Sequence, residues 1–204
     1  MQKFTLATTN DRLTSAASSW LEEALFDGAF AIDCTIGNGY DTLFLAHRVG
    51  PNGKMLGFDV QETAIASTRE MLKFAGLMDR VSLILDCHSQ LEKYLLARTI
   101  IYGAMFNLGY LPRGSREITT HSQTTIPAVA AVIRHLTPGG RLTVLAYRDH
   151  PGGLTEYGHL QAFFSKIPPH EYIMEERTNT IDSPVAPRLF RVQNLKGTSS
   201  VFPP

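Results

Sequence analysis

The 204 residues are 44% hydrophobic and 19% charged, and nineteen basic side chains cancel nineteen acidic ones. That is enough chain for one well-buried domain, and no apolar run is long enough to span a membrane. The polar start Met1-Gln2-Lys3-Phe4 lacks a signal core, and Cys34 and Cys87 are too few for a disulfide framework or a zinc site, so a cytoplasmic protein with reduced thiols and no metal is expected.

Apolar positions Leu13, Ala16, Ala17, Trp20, Leu21, Ala24 and Leu25 recur at helical spacing and predict a helix over residues 12–25, capped by Asn10 or Asp11. A first strand over 29–33 ends at Asp33, and Gly37-Asn38-Gly39 leads into a helix over 42–49. A second strand over 54–60 carries Asp59 near its end, and a helix over 61–74 follows. A third strand (81–85) ends in Asp86-Cys87-His88, and a short helix is expected over 91–97. A fourth strand (100–107) opens a long loop, and a helix over 124–136 stops at Pro138-Gly139-Gly140. A fifth strand (141–147), a helix (156–165) and two strands (171–177 and 188–194) complete the pattern, leaving an aperiodic tail from 196 that is expected to be disordered. Strands alternate with helices, so residues 1–195 predict one α/β domain: a mostly parallel seven-stranded sheet, helices on both faces, and an antiparallel strand near the C-terminus. Ligands bind such sheets at the C-terminal ends of the strands.

The loop after the first strand, Asp33-Cys34-Thr35-Ile36-Gly37-Asn38-Gly39-Tyr40-Asp41-Thr42, reads as a strand, a glycine turn and a helix start. Its glycines let backbone N–H groups approach a ligand closely. A dinucleotide fits poorly, because Thr42 stands where a third glycine belongs and Asp41 repels a pyrophosphate; a Gly-Lys-Ser/Thr phosphate loop is absent. Asp33 and Asp41 instead suit a cationic nucleoside, S-adenosylmethionine, with its sulfonium and α-amino charges. Asp59 ends the next strand, with Val60 and Gln61 after it, and a carboxylate there accepts both ribose hydroxyls or caps the following helix. Asp86 is placed to accept the adenine amine beside Cys87, and His88 to stack or to meet the cofactor's carboxylate, with a plain loop role as the alternative.

The fourth strand ends Asn107-Leu108-Gly109-Tyr110-Leu111-Pro112, where the methyl group would be delivered. Asn107 and the Leu108 carbonyl are expected to align an acceptor nitrogen, and Tyr110 to pack on its base. Tyr147, His150 and Glu156 are expected on the acceptor side, where the proton leaves to water or through Tyr147 or His150, with His150 equally suited to ordering its loop. Arg113, Arg116 and Arg148 are the candidates for RNA phosphates, although zero net charge gives the chain as a whole no leaning toward nucleic acid.

Together, the stretches over 33–46, 57–61, 106–112 (Phe-Asn-Leu-Gly-Tyr-Leu-Pro) and 150–153 (His-Pro-Gly-Gly) resemble one family over residues 10–195. It was long described as rRNA methylase-like, and is similar to the tRNA methyltransferases that convert 5-aminomethyl-(2-thio)uridine at the wobble position to its methylaminomethyl form. Cys34 stands where the family usually has Ala, and Tyr40 where it often has His. The resemblance implies a Rossmann-like class I methyltransferase fold, S-adenosylmethionine as cofactor, and a tRNA anticodon stem-loop as partner of a monomer or homodimer. A small-molecule or rRNA methyltransferase on the same fold, and a non-catalytic adenosine-binding module, are the alternatives.

Overall fold

The computed structural model describes residues 13–111, 118–178 and 183–196. Seven strands, β1 (Phe30–Asp33), β2 (Lys54–Asp59), β3 (Val81–Leu85), β4 (Ile101–Leu108), β5 (Leu136–Ala146), β6 (Tyr172–Thr178) and β7 (Arg188–Asn194), form one sheet in the order β3-β2-β1-β4-β5-β7-β6. Neighbours from β3 through β5 are parallel, while β7 runs antiparallel to both β5 and β6. The helices are α1 (Leu13–Glu22), α2 (Tyr40–Val49), α3 (Glu62–Phe74), α4 (Ser122–His135) and α5 (Gly153–Phe164). Among the described residues no helix is long and apolar enough to cross a membrane.

Alternation along the strands builds two cores. Ile32, Phe58, Phe106, Val144 and Phe190 pack with Ala128, Val132, Leu160 and Phe164 of α4 and α5. Their neighbours Ala31, Met55, Met105, Leu145 and Leu189 pack with Leu13, Ala17, Leu21, Leu45, Val49 and Leu72 of α1, α2 and α3. Burial on both faces is why the strands read as nearly continuous apolar runs. Strand order reverses between β1 and β4, which opens the crevice in which ligands of such sheets lie.

Four expectations are corrected. β5 starts at Leu136, so Pro138-Gly139-Gly140 lies inside a strand; its register slips between Ile101↔Leu136 and Gly103↔Arg141, and Gly139 takes φ +78. The short helix sits earlier than residues 91–97, as a 3₁₀ segment over His88–Tyr94. α5 begins at Gly153 rather than 156, because a Cβ there would lie 2.9 Å from His150 Nε2, and only glycine lets the helix start against that ring. Lys196, placed in the tail, is fastened: its N–H donates to Asn194 Oδ1 at 2.9 Å and its Nζ pairs with Glu171 at 2.7 Å. The proposed caps Asn10 and Asp11, and the tail beyond Lys196, lie outside the described residues.

Candidate active site

A cavity of about 950 Å³ opens at the C-terminal ends of β1 to β5. Its donor half, the side expected from the sequence to seat the cofactor, is the glycine loop and the ends of β2 and β3. Thr35, Ile36, Gly37, Asn38, Tyr40 and Asp41 form its wall. Asp33, Gly39 and Thr42, expected to touch the ligand, do not line it. Asp33 is 1% exposed; its Oδ1 accepts the Thr35 N–H at 3.0 Å and its Oδ2 the Thr42 hydroxyl at 2.6 Å. It therefore folds the loop onto α2 from behind. Gly39 sits at φ +80 with a Cβ position only 2.4 Å from Thr68 Oγ1, so α3 closes it from outside.

Asp59 holds the loop from the other side. Its Oδ2 accepts the Gly37 N–H at 2.8 Å and its Oδ1 the Gln61 N–H at 2.9 Å. Each carboxylate oxygen has a second lone pair, so the same group can still take a vicinal diol. The two alternatives read from sequence, helix start and ribose acceptor, are thus compatible. Val60 and Gln61 line the cavity beside it.

Asp86 and Cys87 also line the cavity. Asp86 Oδ1 accepts its neighbour's N–H at 2.7 Å, and Oδ2 accepts the Tyr94 hydroxyl at 2.8 Å. His88 is corrected. It is 8% exposed, and its Nδ1 meets the Cys34 carbonyl at 3.1 Å, a contact that requires the proton on Nδ1. Burial pushes its pKa down to about 4, and the ring packs edge-on against Phe106. A neutral ring whose N–H is already used has nothing to offer a carboxylate; it ties the end of β3 to the end of β1.

The acceptor half lies at the ends of β4 and β5. Asn107 is fixed twice: its N–H donates to Thr35 Oγ1 at 2.7 Å, and its Nδ2 donates to Asp41 Oδ2. Its amide oxygen is left to accept. The Leu108 carbonyl holds the Tyr147 N–H at 3.1 Å, and the Gly109 carbonyl the Thr120 N–H at 3.0 Å, so each has one lone pair left and the alignment expected of Leu108 shares its oxygen with the backbone. Tyr110 lines the cavity and meets His150 edge-on at 6.2 Å.

Past β5 the chain keeps its alternation, which turns Arg148 away from the phosphates expected of it and favours the loop-ordering alternative for His150; Glu156, in α5, is buried as well. Tyr147 and Asp149 are exposed on the cavity wall, while Arg148 and His150 turn inward. Arg148 is 7% exposed; its Nε donates to the Ala186 carbonyl at 2.7 Å and its guanidinium covers the Tyr157 ring at 4.7 Å. It braces the loop and offers nothing to a phosphate. His150 Nδ1 meets the Pro151 carbonyl at 3.1 Å, and the ring is 8% exposed behind Tyr110. Glu156 is 3% exposed and accepts the Thr120 and Thr125 hydroxyls at 2.7 and 2.6 Å, anchoring the wall from behind. Arg113 and Arg116 lie outside the described residues, between Leu111 and Ile118, which both line the cavity.

Sequence reasoning missed Asp149, Tyr40 and the Thr119-Thr120 wall. A period of two continued beyond the fifth strand would have found Asp149; nothing local marked Thr119 and Thr120, which are placed by a bridge from Tyr110 to Thr119.

Four aspartates line the cavity, Asp41, Asp59, Asp86 and Asp149, and among the described residues no Lys or Arg does. Burial raises the Asp33 pKa to about 7, with the Asp41 charge adding to it; burial also raises Asp41, opposed by the Asn107 hydrogen bond. A site that makes its own carboxylates costly to ionise favours a cation, which relieves them. Volume, diol acceptor, close backbone approach at Gly37 and uncompensated negative charge together fit S-adenosylmethionine.

The family model described as "Putative rRNA methylase" matches residues 55–193. The tRNA (mnm(5)s(2)U34)-methyltransferase, chloroplastic, of Arabidopsis thaliana is 35% identical over 186 residues, 87% of this chain and 68% of that protein. Among solved structures, a "putative rRNA-methylase" from Clostridium thermocellum aligns with TM-score 0.86 at 34% identity, over 92% of this chain and all (100%) of its own. SMU.1697c from Streptococcus mutans, solved in complex with SAH, aligns with TM-score 0.82 at 32% identity, again over 92% of this chain and 100% of its own. The chain belongs to the rRNA methylase family and is an S-adenosylmethionine-dependent methyltransferase.

Proposed function

We propose that the protein N-methylates the aminomethyl group of 5-aminomethyl-(2-thio)uridine at the wobble position of tRNA. The observation that carries this reading is Asn107. The residue ends β4 beside the donor half, its amide nitrogen is spent on Asp41, and its amide oxygen is left as an acceptor for an N–H group. When bound, S-adenosylmethionine supplies a methyl group on a positively charged sulfur. Asp59, Asp86 and the glycine loop hold the cofactor, and Asp41 lies against its positive end. Asn107 orients the acceptor nitrogen and Tyr110 packs on its base. A neutral alkylamine is a good nucleophile, so orientation carries most of the catalysis; it can supply about 7–11 kcal/mol. Tyr147 does not take the proton: partial desolvation against the cavity wall and the nearby Asp41 and Asp149 raise its pKa and keep the phenol protonated. The proton leaves toward solvent at the open acceptor side. The relationship to the Arabidopsis enzyme supports the substrate, and an unstacked anticodon base suits a cavity of this volume.

The test is an anticodon stem-loop bearing 5-aminomethyl-2-thiouridine, incubated with enzyme and cofactor and digested for nucleoside mass spectrometry. Appearance of the methylaminomethyl nucleoside is expected; an unchanged nucleoside overturns the reading. A small cationic amine is the second reading, favoured by the absence of Lys and Arg among the described lining residues. RNA binding that weakens with salt, and weakens again in Arg113→Ala and Arg116→Ala, rejects it. Salt-independent binding supports it.

A further inference from the structure

The methyl transfer leaves its positive charge on the acceptor nitrogen, and a cation taken out of water needs a counter-charge and hydrogen-bond acceptors. The acceptor half has few to give. The Leu108 and Gly109 carbonyls each spend one lone pair on a backbone N–H, Asn107 offers one oxygen, and all three are neutral. Asp41 is engaged by Asn107 and belongs to the donor half. Tyr147 is a donor through its O–H. Asp149 is the carboxylate that β5's continued alternation delivers to this side, two residues from Tyr147 and on the same wall. No described cation pairs with it, whereas Arg148 and His150, on either side of it, are turned away and used inside the protein.

We infer that Asp149 is the seat of the acceptor's positive charge: its carboxylate accepts hydrogen bonds from the N–H groups of the substrate ammonium, which gives one proton to solvent to become the nucleophile, and again from those of the product ammonium once the C–N bond has formed and the S–C bond has broken, and it so selects an aminomethyl group over an uncharged substituent. The inference rests on the amine reading above. With Asp41 beside the donor and Asp149 beside the acceptor, a carboxylate faces the charge before and after it crosses from sulfur to nitrogen.

The experiment compares two anticodon stem-loops, one with 5-aminomethyluridine and one with unmodified uridine, bound to the enzyme loaded with S-adenosylhomocysteine so that nothing turns over. The wild type is expected to prefer the aminomethyl RNA by about 10- to 100-fold, the range of a charge-assisted hydrogen bond. Asp149→Asn loses most of that preference and a similar factor in kcat/KM, while its affinity for S-adenosylhomocysteine and for the unmodified RNA is unchanged. Asp149→Glu retains part of the preference. An Asp149→Asn enzyme with wild-type discrimination and wild-type kcat/KM overturns the inference and leaves the amine reading standing. Loss of S-adenosylhomocysteine binding in Asp149→Asn also overturns it, because the residue then serves the donor half. A wild type that neither methylates nor prefers the aminomethyl RNA overturns the amine reading, and the role of Asp149 with it.

Discussion

In the donor half of the cavity, carboxylates are already fastened to backbone: Asp59 holds the N–H groups of Gly37 and Gln61, and Asp33 holds that of Thr35. In the acceptor half, side chains such as Tyr147 and Asp149 stand exposed on a wall whose anchors, Glu156, Arg148 and His150, are hidden behind it. The first arrangement makes a rigid seat, because one carboxylate organises the loop and faces the ligand at once. The second separates support from contact, so the contacting residues can change without unfolding the support.

The comparison is broken most forcefully at Asp59. Asp59→Ala removes two backbone anchors and the diol acceptor together, and calorimetry should show cofactor affinity falling by about 100-fold or more. An unchanged affinity would mean that the donor half is not seated on this residue. Asn107→Ala should spare cofactor binding and lower single-turnover methylation by about 100-fold, the cost of a misaligned reactant. Equal losses in binding and rate would erase the boundary between the halves.

A smaller effect concerns pH. Asp33 titrates near about 4 when unfolded and near 7 when folded. Between those values the folded protein holds the extra proton, so this residue makes the unliganded protein less stable as pH rises through that window. A cationic cofactor reverses the cost. S-adenosylmethionine should therefore bind tighter from about pH 6 to about pH 8, by up to about tenfold, and S-adenosylhomocysteine, which lacks the sulfonium, by less. Parallel pH profiles for the two ligands in calorimetry would remove the buried carboxylates from the account. The smallest effect on binding is expected behind the acceptor wall. Arg148→Ala should lower stability by about 1–3 kcal/mol in a denaturant melt, through the lost hydrogen bonds and ring contact. It should leave the salt dependence of RNA binding unchanged; a shallower salt slope would put Arg148 back on a phosphate.

Much of the fold was legible because its signals are local. Apolar runs ending in Asp33, Asp59 and Asp86 marked three strand ends, and Gly37-Asn38-Gly39 marked the loop between the first strand and its helix. Gly37 and Gly39 both take positive φ, the conformation that only glycine adopts freely. The errors have one source. Pro138-Gly139-Gly140 looked like a helix stop but is a kink that β4 holds inside β5, a partner distant in sequence. Arg148 was a polar residue in a glycine-rich loop, and polarity was read as exposure; its partners, the carbonyl of Ala186 and the ring of Tyr157, decided otherwise.

The sequence by itself determined the order of strands and helices, the glycine loop, and the acidic strand ends that call for a cationic nucleoside, since spacing and backbone preference act over a few residues. The tertiary structure alone decided which side chains reach the cavity. Asp33 turned from contact to support when its oxygens found Thr35 and Thr42, and Asp149 entered the site only because β5, gripped by β4 and β7, fixes the phase of the alternation beyond its end. A pattern of period two tells which residues share a face; only the packed sheet tells which face that is.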